Sequence, residues 1–525
     1  MTPTQNNPRA NYNDVQSEVF AFMSDPATYK GAPVRRIDTH SAVVFLGGDR
    51  AFKVKRAVRY PFLDFSTLAQ RKAACEAELE INGVFAPGLY LRVIAITREK
   101  DGALRLAGDG ESVEWAVEMR RFDETKTLDH LADNPGIDLV LADKLARAVA
   151  ATHRHIPVME GAPWIAALSS YIEQNEAAFL ADPALFDPVK TESLTRDSRL
   201  ALDRLRPLLA ARSAEGMVRR GHGDLHLGNV ALVNGNPMLF DAIEFSPLIA
   251  AGDVLYDLAF LLMDLVERGL GAAANVVLNR YLAETRRVSD LDALAALPFF
   301  MSLRAAIRAK VMASRAALTA PSDREEARAG AVRYFALACR LIRPAPPVLI
   351  GIGGLSGTGK SQLAVALAPE LAPAPGAIVL RSDVERKALA GRQEDERLPA
   401  DAYTLVYTER VYAALVEKAG RIIAAGHSAI VDAVFALPEE RAVLRSTARA
   451  RGVPFRGLFL ATDLATRLAR VGTRRADASD ADEAVAVAQE RYVLGHNDWQ
   501  SIDASGTPEC TLARTREFLA CKLLA

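Results

Sequence analysis

The sequence predicts two domains of different fold class, an α+β domain followed by an α/β domain. The first part of the chain contains short strand patterns, followed by long stretches with helical apolar spacing. The last part alternates short apolar runs with helical stretches, which is typical of a parallel sheet with helices on both faces. Between them, Arg343-Pro344-Ala345-Pro346-Pro347 cannot continue a helix. We therefore predict domains at residues 1–343 and 344–525.

Length and composition agree with two domains and narrow the class of protein. The 525 residues exceed what one hydrophobic core usually serves, and half of them are hydrophobic. A formal net charge of −1 gives no general attraction to nucleic acid or to an anionic membrane. The polar N-terminus lacks a signal-peptide pattern, no apolar run approaches ~18 residues, and the cysteines lack C-x-x-C spacing. We expect a soluble, cytoplasmic protein without a membrane partner.

The first elements that the sequence predicts form a β-hairpin. Residues 42–46 and 51–55 have strand patterns and flank a Gly-Gly-Asp-Arg turn. Strand alternation places Lys53 and Lys55 on the same face of the second strand. The hairpin therefore presents two candidate cationic side chains in one direction.

A helix and three further strands are predicted next. Ser66 is a suitable N-cap for a helix that runs to about Ile81 and carries Glu76 and Glu78. From about Leu128 onward the apolar periodicity is helical. A β-rich lobe therefore precedes a helix-rich lobe. The further strands are predicted at residues 90–97, 103–107 and 113–120.

A polar motif interrupts the helical part. His222, Asp224 and Asn229 have the spacing H-x-D-L-x-x-x-N, and Asp241 follows a short apolar stretch. Phosphoryl transfer needs a carboxylate that accepts the hydroxyl proton, and it needs amide and carboxylate oxygens that hold Mg²⁺ on the phosphates. Turns and helix caps also use Asp and Asn, so a purely local role is the alternative.

On these residues the first domain resembles the aminoglycoside phosphotransferase and choline kinase group of protein-kinase-like enzymes, over about residues 30 to 340. The resemblance implies a bilobal fold. It implies Asp224 as the catalytic base, and Asn229 and Asp241 as Mg²⁺ ligands. It also implies that Lys53 binds the α- and β-phosphates, with Glu78 as its helix partner.

Two points stay open at the nucleotide side of this domain. Lys55 and Glu76 are the alternatives to Lys53 and Glu78. No G-x-G-x-x-G precedes the hairpin, and the segment from Arg36 to Ser41 occupies that place. The covering of the phosphates is therefore weaker or differently made. A further aspartate, Asp257, resembles the residue that braces the catalytic loop in this fold.

The second domain begins with a phosphate-binding motif. Residues 354–361 match G-x-x-x-x-G-K-[ST], after an apolar strand pattern and before a helical one. Backbone N–H groups of such a loop surround the phosphates, Lys360 reaches the β/γ oxygens, and Ser361 ligates Mg²⁺. This arrangement predicts binding of a nucleoside triphosphate. The candidate nucleotide-binding residues are Gly354, Ser356, Gly357, Thr358, Gly359, Lys360 and Ser361.

Charged residues follow two predicted strands of this domain. Asp383 and Asp432 lie just past strand ends, where parallel sheets collect their ligands. Asp383 and Arg386 are one helical turn apart, so both can face an acceptor hydroxyl, as base and clamp. An N-cap role is the alternative for Asp383. Asp432 is a candidate partner of Mg²⁺.

An arginine-rich stretch comes later in the second domain. Arg474 is the residue that we single out as a catalytic candidate, because a mobile lid delivers arginine to the transferring phosphoryl group in such enzymes. A solvated helix end is the alternative. This domain is similar to P-loop kinases of the polynucleotide kinase, gluconate kinase and zeta-toxin type, which implies a three-layer fold with a parallel sheet.

Together these features predict a bifunctional phosphotransferase that uses ATP and Mg²⁺, the choice of ATP resting on the resemblance. Each domain is expected to phosphorylate a hydroxyl group of a small molecule. One alternative is that one domain only binds nucleotide and gates the other. A second alternative is phosphorylation of a polynucleotide 5′-hydroxyl by the second domain, which the nearly neutral charge disfavours.

Overall fold

The computed structural model describes residues 16–60, 63–133, 136–318, 321–472, 479–480 and 482–523. It divides into two compact units. The predicted boundary between residues 343 and 344 lies inside the second unit, and as a domain boundary it stays a prediction. The first unit comprises residues 1–137, 147–168 and 209–261, and the second comprises residues 138–146, 169–208 and 262–525.

An antiparallel sheet dominates the N-terminal part of the first unit. Its six strands have the order β1-β2-β3-β8-β6-β7, and β4 and β5 form a separate short pair. The elements are α1 (Ser17–Ser24), β1 (Val34–Asp38), β2 (Ala42–Gly47), β3 (Arg50–Lys55), β4 (Arg59–Tyr60), β5 (Leu63–Asp64), α2 (Leu68–Phe85), β6 (Tyr90–Arg98), β7 (Leu104–Leu106) and β8 (Glu111–Arg120).

The hairpin forms where the sequence predicts it, and the helix after it differs at both ends, with another N-cap and an end at Phe85 rather than at about Ile81. In the hairpin, Val44 pairs with Lys53, and the Lys53 side chain lies on the face that α2 covers, where it contacts Glu78. The N-cap of α2 is Thr67 and not Ser66. Thr67 exchanges hydrogen bonds with Gln70 in a capping box, which satisfies two backbone donors at the helix start.

Helices make up most of the chain between residues 128 and 341. Two short antiparallel strand pairs interrupt them, β10 with β11 and β9 with β12. The elements are α3 (Leu128–Asp133), α4 (Leu139–His155), α5 (Gly161–Leu180), α6 (Pro188–Ala214), β9 (Val218–Arg220), β10 (Val230–Val233), β11 (Asn236–Leu239), α7 (Pro247–Ala250), β12 (Ala251–Asp253), α8 (Val254–Glu267), α9 (Gly271–Thr285), α10 (Val288–Asp292), α11 (Leu297–Leu318) and α12 (Pro321–Leu341).

A five-stranded parallel sheet forms in the second unit. Its order is β14-β15-β13-β16-β17, so β14 and β17 are the edge strands. The predicted α/β class is confirmed. The elements are β13 (Leu349–Gly353), α13 (Lys360–Leu367), β14 (Ile378–Arg381), α14 (Ser382–Leu389), α15 (Leu405–Ala424), β15 (Ala429–Asp432), α16 (Pro438–Ala450), β16 (Phe455–Ala461), α17 (Leu464–Gly472), α18 (Glu483–Ala488), β17 (Gln500–Asp503) and α19 (Pro508–Leu523).

The core of this sheet explains why its strands appear in the sequence as continuous apolar runs. All five residues of β13 are buried, because helices cover both faces of a parallel sheet. Within the described parts of the chain, no helix has the length and apolar character that a membrane crossing requires. The buried core includes Ile350, Ile352, Leu363, Leu367, Ile430, Leu458, Leu460 and Ile502.

Candidate active sites

Two lysines of β3 share one buried carboxylate of α2. Lys53 Nζ donates to Glu78 Oε1 at 2.8 Å, and Lys55 Nζ lies 2.6 Å from Glu78 Oε2. Lys55 also forms an ion pair with Glu244. Burial raises the pKa of Glu78, but the charges of Lys53 and Lys55 outweigh burial and lower that pKa to about 2. Glu78 is therefore ionised at neutral pH.

The structure brings three of the four candidate residues of this region together. Glu78 is fully buried between the lysines, whereas its alternative Glu76 is exposed and lies 3.5 Å from Lys72. The Lys53 side chain is 13% exposed and the Lys55 side chain 1%. Lys53 is thus the lysine that a ligand can reach. Lys55 is buried, and its ion pairs with Glu78 and Glu244 hold Glu78 in place.

Asp241 contacts Lys53 and has an unusual backbone conformation. Its Oδ1 lies 2.5 Å from Lys53 Nζ. Its φ of 63° lies in the left-handed region, which costs a non-glycine residue on the order of 1 kcal/mol or more. Such a conformation persists only where the surrounding structure holds it, and it is common at functional sites.

Two side chains that the sequence analysis did not single out hold Asp241 in this conformation. The backbone N–H of Asp241 donates to the Tyr90 hydroxyl at 3.1 Å. Asn82, fully buried on α2, accepts from the N–H of Ala242 at 2.8 Å and donates to its carbonyl at 3.2 Å. Asn82 is one helical turn after Glu78. Helix α2 therefore positions both the lysine partner and the Asp241 segment.

The H-x-D-L-x-x-x-N segment forms a compact polar loop. Asn229 Nδ2 donates to the Asp224 carbonyl at 2.9 Å and to Asp224 Oδ2 at 3.1 Å. His226 Nε2 lies 3.4 Å from the same carboxylate oxygen. The Asp224 side chain is 39% exposed. It is thus held at one oxygen yet open to an incoming hydroxyl.

Buried groups brace this loop from below. Asp257 accepts from the backbone N–H groups of His222 and Gly223, both at 2.9 Å, as its resemblance to a bracing residue implies. His153 Nε2 lies 3.2 Å from Asp257 Oδ2, the oxygen that also accepts from His222, a contact that helical spacing alone does not reveal. His222 Nε2 lies 2.8 Å from the Phe240 carbonyl. Burial lowers the pKa of His222, so its neutral form binds that carbonyl.

The donor set of this first centre suits a nucleotide with Mg²⁺. Lys53 supplies a cation for phosphate oxygens, and Asp241 and Asn229 supply the hard oxygen ligands that Mg²⁺ prefers. The partly exposed carboxylate of Asp224 is a group that can accept a hydroxyl proton.

The second centre is built around the predicted phosphate-binding loop, between β13 and α13. Gly354 and Gly357 have φ values of 139° and 88°. A Cβ atom would lie 2.7 Å from the Leu460 carbonyl at Gly354 and 2.6 Å from the Arg467 carbonyl at Gly357. Only glycine permits both the backbone angles and the close approach. The loop leads into the N-terminus of α13, which favours bound phosphate.

Ser361 and Asp432 meet at the carboxyl ends of β13 and β15. Ser361 Oγ donates to Asp432 Oδ2 at 2.6 Å. Asp432 is 4% exposed, and burial raises its pKa although Lys360 and Arg381 oppose that shift. Lys360 Nζ donates to the carbonyl of Leu355 in the same loop, at 3.1 Å. The hydroxyl and the carboxylate provide the oxygens expected for Mg²⁺.

Asp383 and Arg386 lie in α14, directly after β14. The N-cap of this helix is Arg381, so the N-cap alternative for Asp383 is wrong. Burial is the main cause that raises the pKa of Asp432, and repulsion from the nearby Asp383 adds to it. Arg386 is 8% exposed and donates to the Ala402 carbonyl at 2.6 Å. The clamp role of Arg386 stays a prediction.

One glutamine side chain and one arginine side chain hold the phosphate-binding loop in place. The backbone N–H of Ser356 donates to Gln489 Oε1 at 2.7 Å. Arg467, 1% exposed, contacts Glu490 and lies 3.5 Å from the Ser356 carbonyl. No sequence motif predicted Gln489. Arg474 lies outside the described residues, and its catalytic role stays a prediction.

Comparison with known proteins agrees with this division of the chain. A model described as "Phosphotransferase enzyme family" matches residues 43–297, and one described as "AAA domain" matches residues 349–494. The fold and the two sites therefore define a chain with two kinase-type domains, as the sequence predicts.

Relatives of nearly the same length exist in mycobacteria. The chain is 30% identical over 488 residues to "Uncharacterized protein Rv2004c" of Mycobacterium tuberculosis (strain ATCC 25618 / H37Rv), covering 90% of this chain and 92% of the relative. The same values hold for "Uncharacterized protein Mb2027c" of Mycobacterium bovis. The chain belongs to the same family as these proteins, and the match covers nearly the whole length of both chains.

Solved structures resemble each half separately. A choline/ethanolamine kinase family protein from Mesorhizobium loti is 14% identical, covers 62% of this chain and 99% of its own, and has a TM-score of 0.34. A gluconokinase from Sinorhizobium meliloti 1021 is 20% identical, covers 34% of this chain and 97% of its own, and has a TM-score of 0.24.

Proposed function

We propose that the protein is a phosphotransferase with two centres, each using ATP and Mg²⁺ to phosphorylate a hydroxyl group of a small molecule. The observation that supports it is shared by both halves. In each, a predicted phosphate- or metal-binding side chain contacts a predicted acidic ligand, Lys53 with Asp241 at 2.5 Å and Ser361 with Asp432 at 2.6 Å. Magnesium supplies charge neutralisation on the phosphates at such sites.

In the first centre, Asp224 is the proposed proton acceptor. Its carboxylate takes the proton of the acceptor hydroxyl while the hydroxyl oxygen bonds to the γ-phosphorus. The bond from that phosphorus to the bridging oxygen breaks, and ADP leaves. Asn229 keeps the Asp224 carboxylate in place, with its Nδ2 3.1 Å from Oδ2. Lys53 stabilises negative charge on the phosphates.

In the second centre, Asp383 takes the corresponding role toward its own acceptor. It lies on α14 at the rim that also carries Asp432 and the phosphate-binding loop. Lys360 follows the γ-phosphate as charge develops on it. Arg386 is the proposed acceptor clamp, and its contacts with residues 402–408 fix its direction.

The acceptors are sought with the full-length protein in a metabolite extract. Mass spectrometry is used to detect products that gain a phosphate only when ATP and protein are present. The control is the double variant Lys360→Ala, Asp224→Asn, which removes one group from each centre. We expect products with the natural protein and none with the double variant. Products that are equally abundant with both proteins would contradict the proposal.

ATP turnover then separates the two centres. We expect Lys360→Ala to lower basal ATP hydrolysis on the order of 10²-fold, because the loop of the second centre is complete. Asp224→Asn alone should leave most basal hydrolysis intact. The reverse pattern supports the alternative in which the second domain is a nucleotide sensor that gates the first. If the protein phosphorylates polynucleotides and no small molecule, the 5′-hydroxyl alternative is supported.

A further inference from the structure

The outer edge of the parallel sheet pairs with asparagine side chains. Strand β14 is an edge strand, and such a strand presents backbone groups without a neighbouring strand. Asn279 Oδ1 accepts from the N–H of Val379 at 2.8 Å, and Asn279 Nδ2 donates to the Ala377 carbonyl at 3.1 Å. Asn275 Nδ2 donates to the same carbonyl at 3.0 Å.

These bonds copy the pattern of a parallel ladder. In a parallel pair, one residue bonds to the carbonyl before and to the N–H after the residue opposite it. The Asn279 amide bonds in this way around Ile378. Asn275 and Asn279 are four residues apart on α9, so both face the strand. Helix α9 therefore pairs with the beginning of β14, in the manner of another strand.

The next residue of α9 holds the segment after α14. Arg280 Nη1 donates to Glu394 Oε1 at 2.8 Å, and Arg280 Nε donates to Asp143 Oδ1 at 2.5 Å. The carbonyl of Glu394 accepts from Lys387 Nζ at 2.7 Å. The α9 contacts thus hold the strand before α14 and the segment after it, and α14 is the helix that carries Asp383.

A further series of contacts connects this segment to Arg386. Lys387, 2% exposed, lies 3.2 Å from Asp480. Asp480 accepts from the Tyr403 hydroxyl at 2.7 Å, and the guanidinium of Arg386 lies 5.1 Å from the centre of the Tyr403 ring. All these residues belong to the second compact unit. Helix α9 precedes the phosphate-binding loop in the chain, yet it supports the acceptor side of that centre.

We propose that Asn279 and Arg280 are positioning residues of the second centre. They touch no substrate. They hold β14 and residues 390–398, and thereby set the place of Asp383 relative to Ser361 and Asp432. The inference rests on the proposed function of that centre as a kinase. Displacement of a base by about 1 Å can cost on the order of 10²-fold in rate, so such support matters for transfer.

Hydrogen exchange of the full-length protein tests the structural part without any turnover. Asn279→Asp keeps the acceptor for the Val379 N–H and places a carboxylate against the Ala377 carbonyl. We expect the exchange rate in peptides covering residues 377–389 to rise about tenfold. This is the effect of replacing roughly one hydrogen bond by a repulsive contact. Peptides covering β13 should keep their protection. The matched control is Asn236→Asp, which makes the same change at an exposed position, the first residue of β11.

Two further measurements complete the test. Glu394→Gln, which removes the charged partner of Arg280 and keeps the backbone carbonyl, should raise exchange only in residues 390–398. In assays of phosphoryl transfer, Asn279→Asp should lower the kcat for forming any phosphorylated product about tenfold and leave the ATP dissociation constant unchanged.

The outcomes are separable from those of the proposed function. If exchange near β14 does not differ from that of Asn236→Asp, the positioning role is wrong, whatever the activity. If protection of β13 falls by the same factor, the contact is a general stabiliser and the positioning role is equally wrong. Local exchange that rises in a protein without any transfer product would overturn the proposed function and leave the structural role of α9.

Discussion

The two candidate centres differ in how their candidate phosphate-binding groups are distributed along the sequence. In the first, the charge near Lys53 is set by side chains from separate elements, and the ion pair between Lys55 and Glu244 spans 189 residues of sequence. In the second, one contiguous loop provides most of the candidate phosphate-binding groups, and Lys360 contacts a carbonyl five residues away. A distributed site depends on packing, whereas a contiguous loop depends on local backbone geometry.

The comparison also concerns buried charge. Glu78 is fully buried between two ammonium groups, and each stabilises the others only while all are present. Removing one partner of a buried ion pair leaves an uncompensated charge, which is far more costly than losing an exposed pair. The first centre should therefore couple stability to function more tightly than the second.

The largest expected effect tests this coupling at Glu78. We expect Glu78→Gln to lower the free energy of unfolding of the first unit by roughly 3 to 5 kcal/mol, because Lys53 and Lys55 lose their shared carboxylate. Urea unfolding followed by the fluorescence of Trp115 and Trp164 measures it. Glu76→Gln, on the same helix and exposed, is the control and should stay within about 0.5 kcal/mol. Equal effects at both positions would show that the network adds no stability.

The second effect concerns a buried histidine of the second unit that stays neutral. Burial lowers the pKa of His427 from 6.5 to about 4. Because the folded pKa lies below the unfolded one, the unfolded state takes up a proton first as the pH falls. We expect the second unit to lose about 3 kcal/mol of stability between pH 6.5 and pH 4 through this residue.

His427→Gln should flatten that part of the stability profile, since it keeps a donor for the Gly376 carbonyl and cannot titrate. Urea unfolding followed by Trp499 fluorescence at several pH values measures the change. The exposed His496→Gln is the control in the same unit. A profile of unchanged slope in His427→Gln would assign the pH dependence to other groups.

The third effect separates the proposed base from the proposed metal ligand of the first centre, in a Lys360→Ala background that removes the lysine of the second centre. Asp224→Asn should lower transfer roughly 10²-fold and leave nucleotide affinity unchanged, because a base acts on the hydroxyl. Asp241→Ala should instead weaken binding of the Mg²⁺ nucleotide. Single-turnover kinetics and titration calorimetry give the two quantities, with exposed Asp109→Asn as the control. Unchanged transfer in Asp224→Asn would remove this residue from the mechanism.

The smallest effect tests how the Asp241 backbone is held. Tyr90→Phe removes the hydroxyl that accepts from the Asp241 N–H and keeps the ring. A lost hydrogen bond of about 1 kcal/mol predicts a roughly fivefold higher Mg²⁺ concentration at half-saturation in the same background. Tyr492→Phe, an exposed tyrosine of the second unit, is the control. If Mg²⁺ affinity is the same in both variants, Asn82 alone holds the segment.

Much of the architecture was predictable because it follows from local pattern. Strand alternation placed Lys53 and Lys55 on one face, and the apolar runs of the second half marked a parallel sheet whose strands are buried on both sides. The phosphate-binding loop was predictable for a related reason. Its chemistry is backbone N–H groups and adjacent side chains, so a contiguous motif specifies it.

The choice between alternatives was not predictable from local pattern. Glu76 and Glu78 are both on α2, and only the packing of that helix against β3 buries the second and exposes the first. Ser66 and Thr67 are both suitable caps, and the capping box with Gln70 selects Thr67. Small differences in geometry decide such cases.

The sequence by itself determined the two fold classes, the order of the motifs and the identity of the residues at the strand ends, because these follow from periodicity and from fixed spacing along the chain. The tertiary structure alone decided which side chains support them. Asn82 and Tyr90 hold Asp241, and Asn279 pairs with the edge of β14. These polar groups carry no motif, since any element that passes nearby can satisfy a buried backbone donor or acceptor.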